Sequence, residues 1–202
     1  MIEDIIENVL MALYQSFGFA LMNAFFFMFF YLYTKDHGWK ESLRKWLREF
    51  RSSSYFRKLF TLAVYSFMIL FRTLFNRAVW VNPLSEVLGG WGLYNSKGEL
   101  TTESIENIIL FVPFVYLLLW SFSEKKRKLH NFRACLSSAF SFTFVFSVAI
   151  EFTQLFLRVG SFQLSDIFYN TLGGTIGGLI YYLCTKLQRK KDEPSADEKK
   201  GQ

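Results

Sequence analysis

Five long apolar runs decide what this chain can fold into. They are Val9–Tyr33, Leu59–Trp80, Ile105–Phe122, Ala134–Leu157 and Ile167–Leu187. Each supplies the roughly 20 mostly apolar residues that a helix needs to cross a bilayer. A chain of 202 residues has too little polar sequence to wrap that much apolar surface in water. Its residues are 51% hydrophobic and 20% aromatic, which excludes disorder for most of the chain. The first run does not read as a signal peptide. Glu3, Asp4 and Glu7 precede it where a basic segment belongs, and no small-residue cleavage site follows it. The predicted class is all-α, a polytopic membrane protein of about five transmembrane helices.

The basic residues between the runs alternate between many and few, and this sets the orientation. Residues 1–8 hold no Lys or Arg, and residues 34–58 hold eight. Residues 81–104 hold only Lys97, whereas residues 124–133 hold five basic side chains. Residues 158–166 hold only Arg158, and six more follow from Lys186 onward. Basic segments stay on the cytoplasmic side, so the N-terminus is predicted outside and the C-terminus inside. This pattern accounts for the net charge of +6 without a nucleic-acid partner. The expected location is the plasma membrane of a bacterium, and the expected partners are membrane lipids.

Three regions follow. Residues 1–58 form an N-terminal transmembrane helix and a basic amphipathic cytoplasmic loop. Residues 59–187 form a four-helix membrane domain. Residues 188–202 form a charged cytoplasmic tail, predicted to be disordered. In the first loop Trp39, Leu43, Trp46, Leu47 and Phe50 recur at helical spacing among Lys and Arg. Such a helix lies in the interface, apolar face toward the acyl chains. It reads as an orienting anchor or as a lipid sensor. Cys135 and Cys184 fall at cytoplasmic helix ends, where thiols stay reduced, and read as packing residues. His37 and His130 sit in basic loops without metal-ligand spacing, and no metal or cofactor is implied.

Polar residues inside spans are costly, at roughly 2.5–3.5 kcal/mol for a central charge on insertion scales, so they carry the functional information. Placed by depth, Arg72 and Arg77, Glu106 and Asn107, Glu151, Gln154 and Arg158, and Asp166 and Asn170 all fall toward the outer leaflet. On the fourth span Glu151, Gln154 and Arg158 form one stripe, which Ser147 extends. Glu151 lies about 9 Å below the helix end. A carboxylate at that depth calls for a cation or else takes up a proton, and Arg72 or Arg77 is predicted to pair with it. Gly173, Gly174, Gly177 and Gly178 make two overlapping small-xxx-small pairs for close helix approach. That approach brings Asp166 and Asn170 against a neighbouring helix. Pro113 predicts a kink in the third span and frees the Ile109 carbonyl. The turn-rich outer loop Val81–Thr102 places Trp91 and Tyr94 at an interface. Thr101 or Thr102 can cap the next helix, an ordinary use for Glu103 beside it.

Three segments occur in order: Glu106-Asn107-Ile108-Ile109-Leu110-Phe111-Val112-Pro113-Phe114; Ile150-Glu151-Phe152-Thr153-Gln154 with Arg158; and Asp166-Ile167-Phe168-Tyr169-Asn170-Thr171-Leu172-Gly173-Gly174. Together they resemble the VanZ-like family of bacterial membrane proteins, over about residues 70–183. Asn82-Pro83 resembles a further family segment. Gln163 stands where such proteins tend to carry an acid, leaving Asp166. The resemblance implies an association with resistance to teicoplanin, a glycopeptide that carries a lipid chain and acts on cell-wall precursors outside the membrane.

Three readings stay open on the residues. In the first, Arg72, Arg77 and Arg158 with Glu106, Glu151 and Asp166 hold the head of an amphiphile. That amphiphile is a lipoglycopeptide or a lipid-linked cell-wall precursor, and Asn107, Gln154 and Asn170 add hydrogen bonds to it. In the second, the chain is an intramembrane enzyme on such a compound, with Glu151 and Asp166 as catalytic acid or base. In the third, the polar groups only fix helix packing. The residues leave oligomeric state open.

Overall fold

The computed structural model describes residues 2–33, 38–75, 79, 82–94, 101–122 and 131–192, and these build an all-helical molecule. In chain order the helices are α1 (Ile2–Tyr33), α2 (Trp39–Ser52), α3 (Ser54–Leu70), α4 (Glu103–Phe122), α5 (Phe132–Leu157) and α6 (Leu164–Asp192). A π-helical turn, Phe71–Phe75, extends α3. Among the described residues four segments are long and apolar enough to cross a membrane: Tyr14–Leu32 in α1, Ser54–Phe75, α4 and α5. The fifth expected span is the helix α6, which is long enough at 29 residues. Its Gly, Asn, Thr and Tyr content keeps it below the apolarity of the other four.

Helix boundaries follow local chemistry. α1 starts at Ile2, so the acidic N-terminal segment is its first turns. α3 starts earlier than the apolar run because Ser53 caps it, accepting a hydrogen bond from the Phe56 N–H at 3.1 Å. Pro113 lies inside α4, which remains one helix from Glu103 to Phe122. The Tyr65 hydroxyl of α3 donates to the Leu110 carbonyl at 3.0 Å, in the turn before the proline. α6 continues through residues 188–192, which the sequence reading assigned to the tail. The rest of the tail, both histidines and Arg77 lie outside the described residues.

α6 sits between α4 and α5, and its glycines explain how. Gly173 and Gly177 face α4, where an added Cβ would overlap the Ile108 and Val112 carbonyls. Gly174 and Gly178 face α5, where it would strike Thr143 and Ala139. One small-xxx-small pair therefore serves each neighbour, and backbones meet where side chains would hold them apart. Around this contact Phe111, Phe114, Val115, Leu119, Cys135 and Tyr181 form the main core. Cys135 is fully buried there, in line with a packing role.

α1 packs on α3 with a narrow stripe. Ala20, Ala24, Met28 and Leu32 recur every four residues and are buried, while Phe26, Phe27 and Phe30 are exposed. Small residues inward and phenylalanines outward is a pattern for acyl chains, not water. α2 departs from the simple interfacial helix expected. Trp46 is buried among Phe25, Phe50, Phe56 and Phe60, with ring centroids 5.1–5.9 Å away. Only Trp39 and Leu47 of its large apolar residues are exposed. Five aromatic rings pack better on one another than on mobile lipid.

Candidate functional site

The end of α3, the start of α4, the end of α5 and the start of α6 meet at one end of the bundle. Helix ends leave backbone donors and acceptors without intrahelical partners. Side chains here satisfy several of them. Gln154 of α5 donates from Nε2 to the Thr73 carbonyl in the π turn, at 2.7 Å. Glu151, only 1% exposed, accepts at Oε2 from the backbone N–H of Gln163 at 2.8 Å. Gln163 Nε2 donates to Ser161 Oγ at 2.8 Å, and Ser165 Oγ donates to Gln163 Oε1 at 3.3 Å. Glu151 thus ties the last turns of α5 to the connection that starts α6.

Of the two cations expected for Glu151, Arg72 pairs with Glu106 of α4. Two helix dipoles favour this choice: Arg72 lies in the last turn of its helix and Glu106 in the first turn of its own. Thr102 Oγ1 donates to the same carboxylate and accepts from Asn8 Nδ2 of α1 at 3.0 Å. Arg77, the other candidate, lies outside the described residues. Arg158 does not continue the stripe of Glu151 and Gln154. α5 stops at Leu157, Arg158 turns left-handed at φ 54°, and its side chain is exposed.

Asp166 and Asn170 are brought against two different helices. Asp166 Oδ1 accepts from Asn107 Nδ2 of α4 at 2.9 Å. Asn170 Nδ2 donates to Ser147 Oγ of α5 at 2.9 Å. Two buried acceptors, Gln154 Oε1 and Asn170 Oδ1, have no hydrogen-bond partner among the described residues. Each such orphan costs roughly 1–3 kcal/mol, so the site has more acceptors than it fills.

The described loop residues 82–94 roof this end. The Phe162 N–H donates to the Pro83 carbonyl at 2.9 Å and the Leu164 N–H to the Val87 carbonyl at 2.8 Å. The Gly92 N–H donates to Tyr169 Oη at 2.7 Å, and Trp91 lies 5.4 Å from the Phe168 ring. Gly89, at φ +69°, presses on Ser165 so closely that any Cβ would collide with its hydroxyl.

Beneath the roof is a polar notch of about 30 Å³, lined by Glu86, Glu103, Asp166, Ser104, Ser165 and Gln163. That is about one water molecule's share of liquid volume. Among the described residues its acids do not form a metal-binding group. On the opposite side of the same α6 turn runs an apolar groove of about 380 Å³. Phe140, Phe144, Leu164, Ile167, Phe168 and Leu172 line it.

With this geometry in view, the comparisons with known proteins place the chain. A family model described as VanZ/LLP1 matches residues 2–185. The chain belongs to the VanZ/LLP1 family. The match takes in α1 and α2, which the motif resemblance left outside. A curated relative, Protein VanZ of Enterococcus faecium, is 32% identical over 89 residues, 44% of this chain and 50% of the relative. The chain therefore spans about half the length of that relative. No solved structure matches it. Family membership and four apolar helices make this a membrane protein.

Glu86, Ser161 and Ser165 do not stand out in the sequence, where Thr102 reads only as a possible helix cap and Glu103 as an acid in the turn beside it. Ser165-Asp166 at the start of a helix carried the only local signal, that of an N-terminus. Glu86 reaches the notch through the fold of the loop, which no local pattern encodes.

Proposed function

We propose that this protein binds an amphiphile at the outer leaflet of the bacterial plasma membrane. One donor group of its head enters the polar notch, and the hydrocarbon lies in the α5–α6 groove. One observation carries this reading: a single turn of α6 separates an acidic notch from an apolar groove, with Ser165 and Asp166 on one side and Leu164, Ile167 and Phe168 on the other. The notch admits one group the size of an ammonium or hydroxyl, not a ring. Its described lining holds three carboxylates and no Lys or Arg, so it favours donors over phosphate. An acylated glycopeptide of the teicoplanin type meets both demands, with a polar glycopeptide body and a lipid chain. A lipid-linked wall precursor brings a diphosphate to a wall of carboxylates and fits less well. The family resemblance points the same way.

The orientation belongs to this proposal. Five crossings, with α6 the last, put the N-terminus and the notch outside and the basic segments inside. Ser54–Phe75 is 22 residues, about 33 Å of helix, so the two ends of the bundle reach opposite interfaces. Glu151 acts here as a structural tie rather than a proton carrier, since its burial and its bond to Gln163 keep it from a bound head.

The test is equilibrium binding to the full chain in lipid nanodiscs, comparing a teicoplanin-type glycopeptide with its deacylated form. The acylated compound binds at least tenfold tighter, and Asp166→Asn weakens it by about tenfold through loss of a charge-assisted hydrogen bond. Glu151→Gln leaves affinity per folded molecule unchanged. Equal binding of both compounds, or an Asp166→Asn protein with full affinity, would remove the basis of the reading.

A further inference from the structure

The opposite end of the bundle carries a second charged surface, unrelated to the notch. α2 joins the end of α1 to the start of α3 and is held there firmly. Trp46 is inserted among the rings of α1 and α3. Arg57 of α3 donates from Nη1 to the carbonyls of Phe50 at 3.2 Å and Arg51 at 2.9 Å, closing the C-terminus of α2. Ser53 ends α2 and caps α3. With one face fixed, the direction of the other is fixed too.

That other face is basic. Lys40, Arg44, Arg48 and Arg51 are spaced i, i+4, i+8, i+11 and all are exposed. Arg44, Arg48 and Arg51 have no ion pair or side-chain hydrogen bond among the described residues. With Leu47 and Ser52 they line an open groove of about 500 Å³. Three unpaired guanidiniums on one groove repel one another, and each offers a planar fork that matches a phosphate. Leu47 sits where the basic arc meets the apolar arc, so the groove is amphipathic along its length. A free anion has no use for Leu47. A membrane phospholipid does, with its glycerol and first acyl carbons beside the leucine and its phosphate on the arginines.

We propose that Arg44, Arg48 and Arg51 bind the phosphate headgroup of an anionic phospholipid in the leaflet that α2 faces. The site fixes a lipid against a rigid helix, and does more than attract a diffuse layer of charge.

Native mass spectrometry of the full chain, released from nanodiscs of mixed phosphatidylglycerol and phosphatidylcholine, reads this directly. The protein retains phosphatidylglycerol over phosphatidylcholine, and excess inorganic phosphate does not displace it. Arg48→Gln alone removes one exposed side chain and leaves the fold intact; it lowers the preference about fivefold. Arg44→Gln, Arg48→Gln and Arg51→Gln together lower it by more than tenfold. Equal retention of the two lipids overturns the proposal, as does an Arg48→Gln protein with undiminished preference. Displacement by inorganic phosphate overturns the lipid assignment, leaving a plain anion site. None of these readouts touches glycopeptide binding, so this proposal and that of the notch fail separately.

Discussion

α1 and α6 are the two longest helices, and they treat their glycines and aromatics in opposite ways. α1 is apolar enough to be recognised as a span, yet it buries one stripe of Ala20, Ala24, Met28 and Leu32 and turns Phe17, Phe26, Phe27 and Phe30 outward. α6 falls short of the same apolarity, yet it is packed on both sides. Hydropathy therefore reports how much of a helix meets lipid, not how central it is. In a bilayer, oily residues gain little from facing one another. Close approach of backbones does the work, and glycine permits it.

The sharpest break of this contrast is Gly177→Ala. The new methyl overlaps the Val112 carbonyl, a backbone atom that moves only if α4 moves with it. We expect a loss of about 3 kcal/mol, the upper end of the overpacking range. Reversible unfolding in bicelles or mixed micelles measures it. A protein of unchanged stability would show that α4 and α6 do not meet at Gly177, and the central place of α6 would go with that contact.

Next in size is the Arg72–Glu106 pair, which joins the π turn after α3 to the first turn of α4. Its side chains are 21% and 10% exposed, so solvent screens it only in part. Glu106→Gln leaves the guanidinium short of a charge and should cost about 1–2 kcal/mol. Arg72→Gln added to it should cost little more, because the partner is already gone. The double-mutant cycle gives the coupling. A cycle that closes to zero with Glu106 but not with Glu151 would move Arg72 from Glu106 to Glu151.

That pairing marks the limit of what the residues could tell. Five apolar runs, the glycine pairs and the concentration of polar groups on one set of helix ends were legible, because each is written in local spacing. Arg72 and Arg77 are both candidates for Glu151 because depth along a helix can be counted from a sequence. Which helices are neighbours cannot. Once α3 is seen beside α4, Glu106 is nearer and its helix dipole agrees. Arg158 went astray for a related reason. The stripe arithmetic holds only while the helix lasts, and α5 ends one residue before it. Gln163 was noticed as a missing acid. Its structural part, with its N–H on Glu151 and its amide between Ser161 and Ser165, needed coordinates, because these bonds close a turn and follow no helical period.

The smallest effect runs in the opposite direction and completes the contrast. Gly18 lies within α1 on its outer side, and a Cβ there would meet nothing within 4 Å. Its backbone is helical, so alanine adopts it without strain. Gly18→Ala then gains from the reduced freedom of the unfolded chain and from better helix propensity, about 0.4–1 kcal/mol. For a chain of this size that is a rise of roughly 1–4 °C in Tm. The same change of one methyl thus stabilises α1 and damages α6, and the sign is set by what lies across from the glycine. If Gly18→Ala destabilises instead, the outer face of α1 is covered by something close-packed. A second copy of the chain becomes the first candidate, and cross-linking through a cysteine placed at Phe17 would reveal it.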